Sequence, residues 1–185
     1  MGEITKSKLK KYANGNIFIE TGTGMGGAIK EAVDSNLFKE IYSVELHPTL
    51  ANEAIERFKE NKIVKIYKGE SPDFLLDLCS SLNEQATFWL DAHASGPELL
   101  GSPIYGICPL MAELSAIASS PCKTHTIIID DIRDCGSVGW PSKQELMNKI
   151  LSINGKYTFN YIDGYDSESE IDRLPNDILV CSVLV

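Results

Sequence analysis

Asn16-Ile-Phe-Ile-Glu-Thr-Gly-Thr-Gly-Met-Gly-Gly27 decides the fold. A short apolar run, Ile17 to Ile19, ends in an acid, Glu20; glycines follow at 22, 24, 26 and 27, and then a helical pattern begins. The stretch reads as strand, tight turn and helix N-terminus. Glycine is needed where the backbone takes a positive φ or must approach a ligand closely. The helix start adds free N–H groups and the positive end of a dipole. A carboxylate at the strand tip does not suit a phosphate cradle; it suits a ligand carrying an ammonium group and hydroxyls. Two templates fit the same residues. Gly22-x-Gly24-x-x-Gly27 is the dinucleotide fingerprint, which would make the chain a nicotinamide-dependent oxidoreductase. Glu20-x-Gly22-x-Gly24-x-Gly26 includes the acid.

Outward from this stretch, apolar strands alternate with amphipathic helices, the pattern of an α/β fold with a parallel sheet. The strands expected are Ile17–Ile19, Glu40–Glu45, Ile63–Tyr67, Ala86–Leu90, Thr126–Ile129, Tyr157–Ile162 and Ile178–Leu184. In one helix Leu50, Ala54, Ile55 and Phe58 share a face. In another, beginning at Pro109, Leu110, Leu114 and Ile117 do so. The segment before Asn16 is at most one short helix. A cover for any substrate must then come from the Ala94–Cys108 loop, the Gly164–Asn176 loop or a partner subunit.

Ligands of open parallel sheets bind beyond the carboxyl ends of the strands. Glu45 ends the second strand at the spacing of an acid that bonds a ribose. After the third strand, Glu70 and Ser71 precede Pro72, where Ser71 is also a candidate helix cap. Asp91 and His93 follow the fourth strand, and Asp130 and Asp131 follow the fifth. If the fourth and fifth strands are neighbours, their tips lie about 5 Å apart, and Asp91, Asp130 and Asp131 would then crowd one pocket. Three such carboxylates repel unless protonated, paired or bound to a metal, and oxygen ligands suit Mg²⁺, Ca²⁺ or Mn²⁺. The alternative is that Asp131 caps the next turn while Arg133 neutralises Asp130. His93 is a candidate general base, a metal ligand or a loop-bonded ring. His125 reads as structural. His47 sits at the rim or in solvent, and Trp140 and Tyr105 line an acceptor pocket or simply pack.

Several stretches resemble known families. Glu20-x-Gly22-x-Gly24-x-Gly26 resembles the first motif of class I S-adenosylmethionine-dependent methyltransferases, and Lys68-Gly-Glu-Ser-Pro-Asp73 resembles their G-D-S segment. Asp91 with Asp130-Asp131 is similar to the pattern of metal-dependent O-methyltransferases acting on antibiotic sugars and catechols. The wider pattern of Asp91-Ala-His-Ala-Ser-Gly96, Pro109-Leu-x-x-Glu-Leu114 and His125-x-Ile-Ile-Ile-Asp-Asp-Ile-Arg133 resembles a group of bacterial and viral methyltransferase-like proteins. The likeness runs from Asn16 to Leu184. It implies a Rossmann-like, seven-stranded, mostly parallel sheet with helices on both faces and an antiparallel last strand beside the fifth. The implied cofactor is S-adenosylmethionine. Its methionine part would lie on Gly22, Thr23, Gly24 and Gly26, its ammonium on Glu20 and its ribose on Glu45. Glu70 or Ser71 would meet the adenine, and Asp91 would complete the cofactor site. Asp91, Asp130 and Asp131 would hold a divalent ion such as Mg²⁺, or the acceptor directly. His93, assisted by Asp91, would take a proton from an oxygen acceptor on a small molecule. His93 itself departs from the sugar O-methyltransferase pattern.

The bulk properties narrow the partners. The chain has 185 residues and a net charge of −9, which fits one domain over residues 1–185 and disfavours nucleic acid and anionic membranes. No signal peptide or spanning apolar run is visible. The five scattered cysteines show no C-x-x-C pair and read as reduced thiols of a cytoplasmic protein. An exposed strand edge and a missing cap leave a homodimer open. A third reading is a cofactor-binding module of the same fold without catalysis.

Overall fold

The computed structural model describes residues 2–94, 101–167 and 173–183. Its elements, in chain order, are α1 (Lys6–Tyr12), β1 (Ile17–Thr21), α2 (Gly27–Ser35), β2 (Glu40–Glu45), α3 (Pro48–Phe58), β3 (Val64–Lys68) and α4 (Ser71–Cys79). They continue with β4 (Ala86–Leu90), α5 (Leu110–Ile117), β5 (Thr126–Ile129), a 3₁₀ turn (Ile132–Asp134), α6 (Lys143–Ile153), β6 (Tyr157–Ile162) and β7 (Ile178–Val183). The seven strands form one sheet in the order β3-β2-β1-β4-β5-β7-β6. The β3-β2-β1-β4-β5 run is parallel, and β7 enters antiparallel between β5 and β6.

Strands β1, β4 and β5 are buried along their whole length, which explains their uninterrupted apolar sequences. Alternate residues feed two cores. Ile17, Ile19, Phe88 and Ile127 pack with Leu75, Leu114, Ile117, Leu146 and Ile150 from α4, α5 and α6. Phe18, Trp89 and Ile128 pack with Leu9, Ile29 and Ala32 from α1 and α2. The period-2 geometry of a strand sends neighbours to opposite faces, so one chain segment serves both layers.

Three local differences from the sequence reading follow from backbone requirements. The third strand begins one residue later, at Val64, because Val64 N–H turns back to Asn61 O. Glu70, still extended, occupies the cap position, so Ser71 is the first helical residue of α4 and Pro72 the second. Gly2–Thr5 are not a passive leader: they line the main cavity, a task expected of loops or a partner. Parts of the Ala94–Cys108 and Gly164–Asn176 loops, residues 95–100 and 168–172, lie outside the described residues, as does Leu184.

Candidate functional site

The glycine turn leans on the tip of β2, where Gly22 and Thr23 N–H both donate to Val44 O, at 2.9 and 3.3 Å. Gly22 has φ +80°, and a side chain there would meet the Asp91 carbonyl at 2.4 Å. Glycine therefore lets the tips of β1 and β4 close together. Gly26, at φ +78°, is pressed by the Phe58 ring. Gly24 differs: at φ +49° its open side faces nothing within 4 Å, which leaves a cradle for a ligand. Its N–H donates to Glu45 Oε2 at 2.8 Å, and His47 N–H donates to Oε1 at 2.8 Å. Glu45 is thereby held at both oxygens and keeps further lone pairs for hydroxyls in the cavity.

Glu20 is 1% exposed and accepts from Ser43 Oγ at 2.5 Å, which in turn lies 2.6 Å from Thr23 Oγ1. Burial pushes its carboxyl up to about 8. Glu20, Gly24, Glu45, Glu70 and Ser71 line the same cavity as Asp91 and His93. That cavity measures about 1280 Å³. A site for one drug-sized ligand spans roughly 300–1,000 Å³, so this one has room for a nucleoside and a second small molecule.

His93 stands beside Asp91 in this cavity. Its Nε2 contacts Asp131 Oδ2, and its Nδ1 lies 3.5 Å from Asp91 Oδ1, longer than an ordinary hydrogen bond. The Trp140 ring packs on the imidazole with centroids 5.0 Å apart. Asp131 takes a left-handed backbone, φ +54°, a conformation rare outside glycine and concentrated at functional sites. Its carboxylate does not cap the 3₁₀ turn. It meets His93 and, at 2.6 Å, Arg133 Nη1, which also pairs with the buried Asp177. Burial pushes the Asp131 carboxyl up, but His93 and Arg133 outweigh it and hold the group below the usual carboxylate range.

Arg133 thus serves Asp131 and Asp177 rather than Asp130. Asp130 is 1% exposed, and among the described residues neither of its oxygens meets a side-chain donor. Burial and the neighbouring Asp131 charge push it up to about 6. Burial, then Asp130 and Asp131, push Asp91 well above its ordinary value. The three aspartates are shared between two groupings: Asp91, His93 and Asp131, and Asp130, Asp131 and Asp177. Ligand atoms within each grouping lie within 4.8 Å of one another.

Two buried acids escaped the sequence reading. Glu113, in the first turn of α5, is 1% exposed; burial pushes it up to about 7 against the pull of the Ser71 and Thr21 hydroxyls. Its signal was a charge on the Leu110–Leu114–Ile117 face. Asp177, just before β7, carried no signal. The other aromatic and histidine candidates divide. His125 Nδ1 accepts from Ala86 N–H at 3.2 Å and its Nε2 lies 2.9 Å from Ser120 Oγ, a structural staple far from the cavity. His47 caps α3 at the rim, and Tyr105 donates to Asp73 at 2.6 Å instead of facing an acceptor.

Solved structures share this architecture. TomG of Streptomyces achromogenes, an O-methyltransferase of tomaymycin synthesis solved with SAM, superposes with a TM-score of 0.60 at 12% identity, over 95% of this chain and 75% of that one. This is the class I methyltransferase fold. The methyltransferase domain of bacterial CtHen1 matches at 0.56 and 15% identity, over 97% of this chain and 95% of its own. Spermidine synthase of Thermotoga maritima matches at 0.58 and 9%, over 91% and 53%, so methyltransferases are not the sole users of this sheet. No family model and no curated protein matches the sequence. Among the described residues, no helix is long and apolar enough to cross a membrane.

Proposed function

We propose that this chain is an S-adenosylmethionine-dependent methyltransferase that methylates an oxygen of a small molecule. The observation that carries the reading is one cavity that gathers Glu20, Gly24 and Glu45 together with Asp91 and His93. When bound, S-adenosylmethionine supplies a methyl group on a positively charged sulfur. Glu20 would receive the ammonium of the methionine tail and Glu45 the ribose hydroxyls. The open side of Gly24 lets the tail lie against the backbone, and Glu70 and Ser71 border the adenine. The protein's contribution is alignment and exclusion of water, which supports an in-line transfer.

His93 is the proton acceptor. With Nε2–H donating to Asp131, the tautomer that fits leaves the Nδ1 lone pair on the Asp91 side, free to take a proton from a hydroxyl. Asp131 orients the ring and stabilises its charged form, and Arg133 keeps Asp131 ionised. The surrounding carboxylates would repel a phosphorylated or carboxylate-bearing acceptor.

A divalent ion such as Mg²⁺ fits part of this site. Asp130 is the acid left without compensation, and a buried unpaired carboxylate is costly. It borders a small cavity of about 10 Å³ shared with His93, Glu113 and Trp140, close to the smallest space that holds a water. Asp130, Asp131 and Asp177 would hold the ion, which would supply a positive charge for an acceptor oxygen.

The test is methyl transfer from labelled S-adenosylmethionine to a panel of hydroxylated small molecules, with Mg²⁺ or EDTA. Turnover abolished in His93→Gln, with S-adenosylhomocysteine binding intact, is the expected result. Asp130→Asn should also keep binding and should erase any response to Mg²⁺; an unchanged response rules out the metal. Selective NAD binding overturns the whole reading, and binding without turnover across the panel leaves a cofactor-binding module.

A further inference from the structure

We infer that Gly2–Thr5 form a fixed wall of the binding cavity and that Lys8 is the positioning residue that fastens it. The inference rests on the reading above only for what the cavity holds. Lysine is seldom buried without partners, yet Lys8 is 6% exposed. Its Nζ donates to Gly164 O at 2.7 Å and to Glu3 O at 2.9 Å, and lies 3.5 Å from Asp166. One ammonium therefore ties the start of the chain to the connection between β6 and β7.

Other contacts converge on the same joint. Glu3 N–H donates to the same Gly164 oxygen at 3.0 Å. Thr5 caps α1 and donates its hydroxyl to Asp166 at 2.6 Å. Lys6 N–H donates to Glu31 of α2 at 2.7 Å, while Ile4 and Leu9 are anchored in the core. Gly2 is laid directly on the acid well: a side chain there would sit 2.4 Å from Asp130 Oδ1 and 3.2 Å from Gly164 Cα. The segment closes the cavity on that side and keeps water from Asp130. A bound nucleoside cannot leave across this face unless the joint opens, so Lys8 sets how long the ligand stays.

Lys8→Met keeps the length and apolar stem of the side chain but removes the donors, and Lys8→Arg restores them. Amide hydrogen exchange and stopped-flow binding of S-adenosylhomocysteine are read on both. In Lys8→Met, exchange at Glu3 and Gly164 should rise about tenfold while amides of β4 and β5 stay protected. Dissociation of S-adenosylhomocysteine should quicken about tenfold with association within about twofold, since affinity changes of this kind fall mainly on the off-rate. Lys8→Arg should recover both values. Gly2→Ala, which leaves Lys8 in place but pushes the segment off Asp130, should give the same split. Unchanged exchange at Glu3 overturns the fastening role. A loosened segment with an unchanged dissociation rate overturns the wall. Failure of the unaltered protein to bind S-adenosylhomocysteine overturns the cofactor reading instead, and the exchange measurement alone then decides whether Lys8 is the fastener.

Discussion

Glu20 shows how the position of a residue can be legible while its state is not. Its place at a strand tip was legible because an acid two residues before three alternate glycines breaks the logic of a phosphate site. Its protonation was not, since that depends on being sealed beneath the glycine turn against Ser43. With its carboxyl raised to about 8, Glu20 is mostly neutral near pH 7 in the free protein. An arriving ammonium group favours the charged form and expels the proton. Calorimetry of S-adenosylhomocysteine near pH 7, repeated in buffers of different ionisation enthalpy, should therefore report release of up to about one proton. Glu20→Gln should abolish that release and weaken binding by about tenfold or more, the worth of one charge-assisted bond. Equal heats in all buffers would show that Glu20 is not the ammonium site. The aspartates follow the same lesson. Their crowding was legible only once the family order set the fourth and fifth strands side by side, and the choice Arg133 makes, Asp131 and Asp177 over Asp130, depends on a residue brought in by β7.

At the scale of the element, the glycine turn separates two jobs that look identical in sequence. Gly22 permits two backbones to touch; Gly24 leaves space for a ligand. Gly22→Ala should push the β1 and β4 tips apart, because the obstacle at 2.4 Å is backbone and cannot swing away. A loss of several kcal/mol or failure to fold is expected, measured by denaturant unfolding. Gly24→Ala meets nothing within 4 Å, so it should fold and lose only about 1–2 kcal/mol for its left-handed backbone. Its added methyl group should nevertheless weaken S-adenosylhomocysteine binding. Equal stability losses in the two variants would refute this division. The helices were legible from their periodic apolar faces, while the reciprocal capping box of Ser142 and Glu145 at the start of α6 emerged from the structure. The segment Gly2–Thr5 was not legible, because its contacts, the Glu3 N–H on Gly164 and the bonds made by the Lys8 and Thr5 side chains, involve a distant loop and leave no periodic trace.

Across the whole molecule, the alternation of strand and helix patterns made a mostly parallel α/β sheet legible, while the antiparallel strand beside the fifth came from the family resemblance; solved structures of low identity share the fold. Electrostatics at this scale give a test of the free protein. Glu20, Glu113 and Asp130 are raised to about 8, 7 and 6. A carboxyl raised on folding stabilises the fold below its unfolded value and loses that contribution as pH climbs through its folded value. His125 acts oppositely: lowered to about 4 by burial, it costs stability only as pH drops below about 6.5. Above that point the acids act alone, so the melting temperature should fall by several degrees between about pH 6.5 and 9. Saturating S-adenosylhomocysteine should flatten the slope by ionising Glu20 already. A melting temperature that is level or rises over this interval would contradict the burial of these acids. Topology carries a last implication, for synthesis on the ribosome. Because β7 slots between β5 and β6, the nascent sheet waits in two pieces, with the β5 border open to misassociation, until residues 178–183 clear the exit tunnel. Closure of the sheet thus waits for β7, and stalled fragments ending before Asp177 should be substrates for chaperones and proteases.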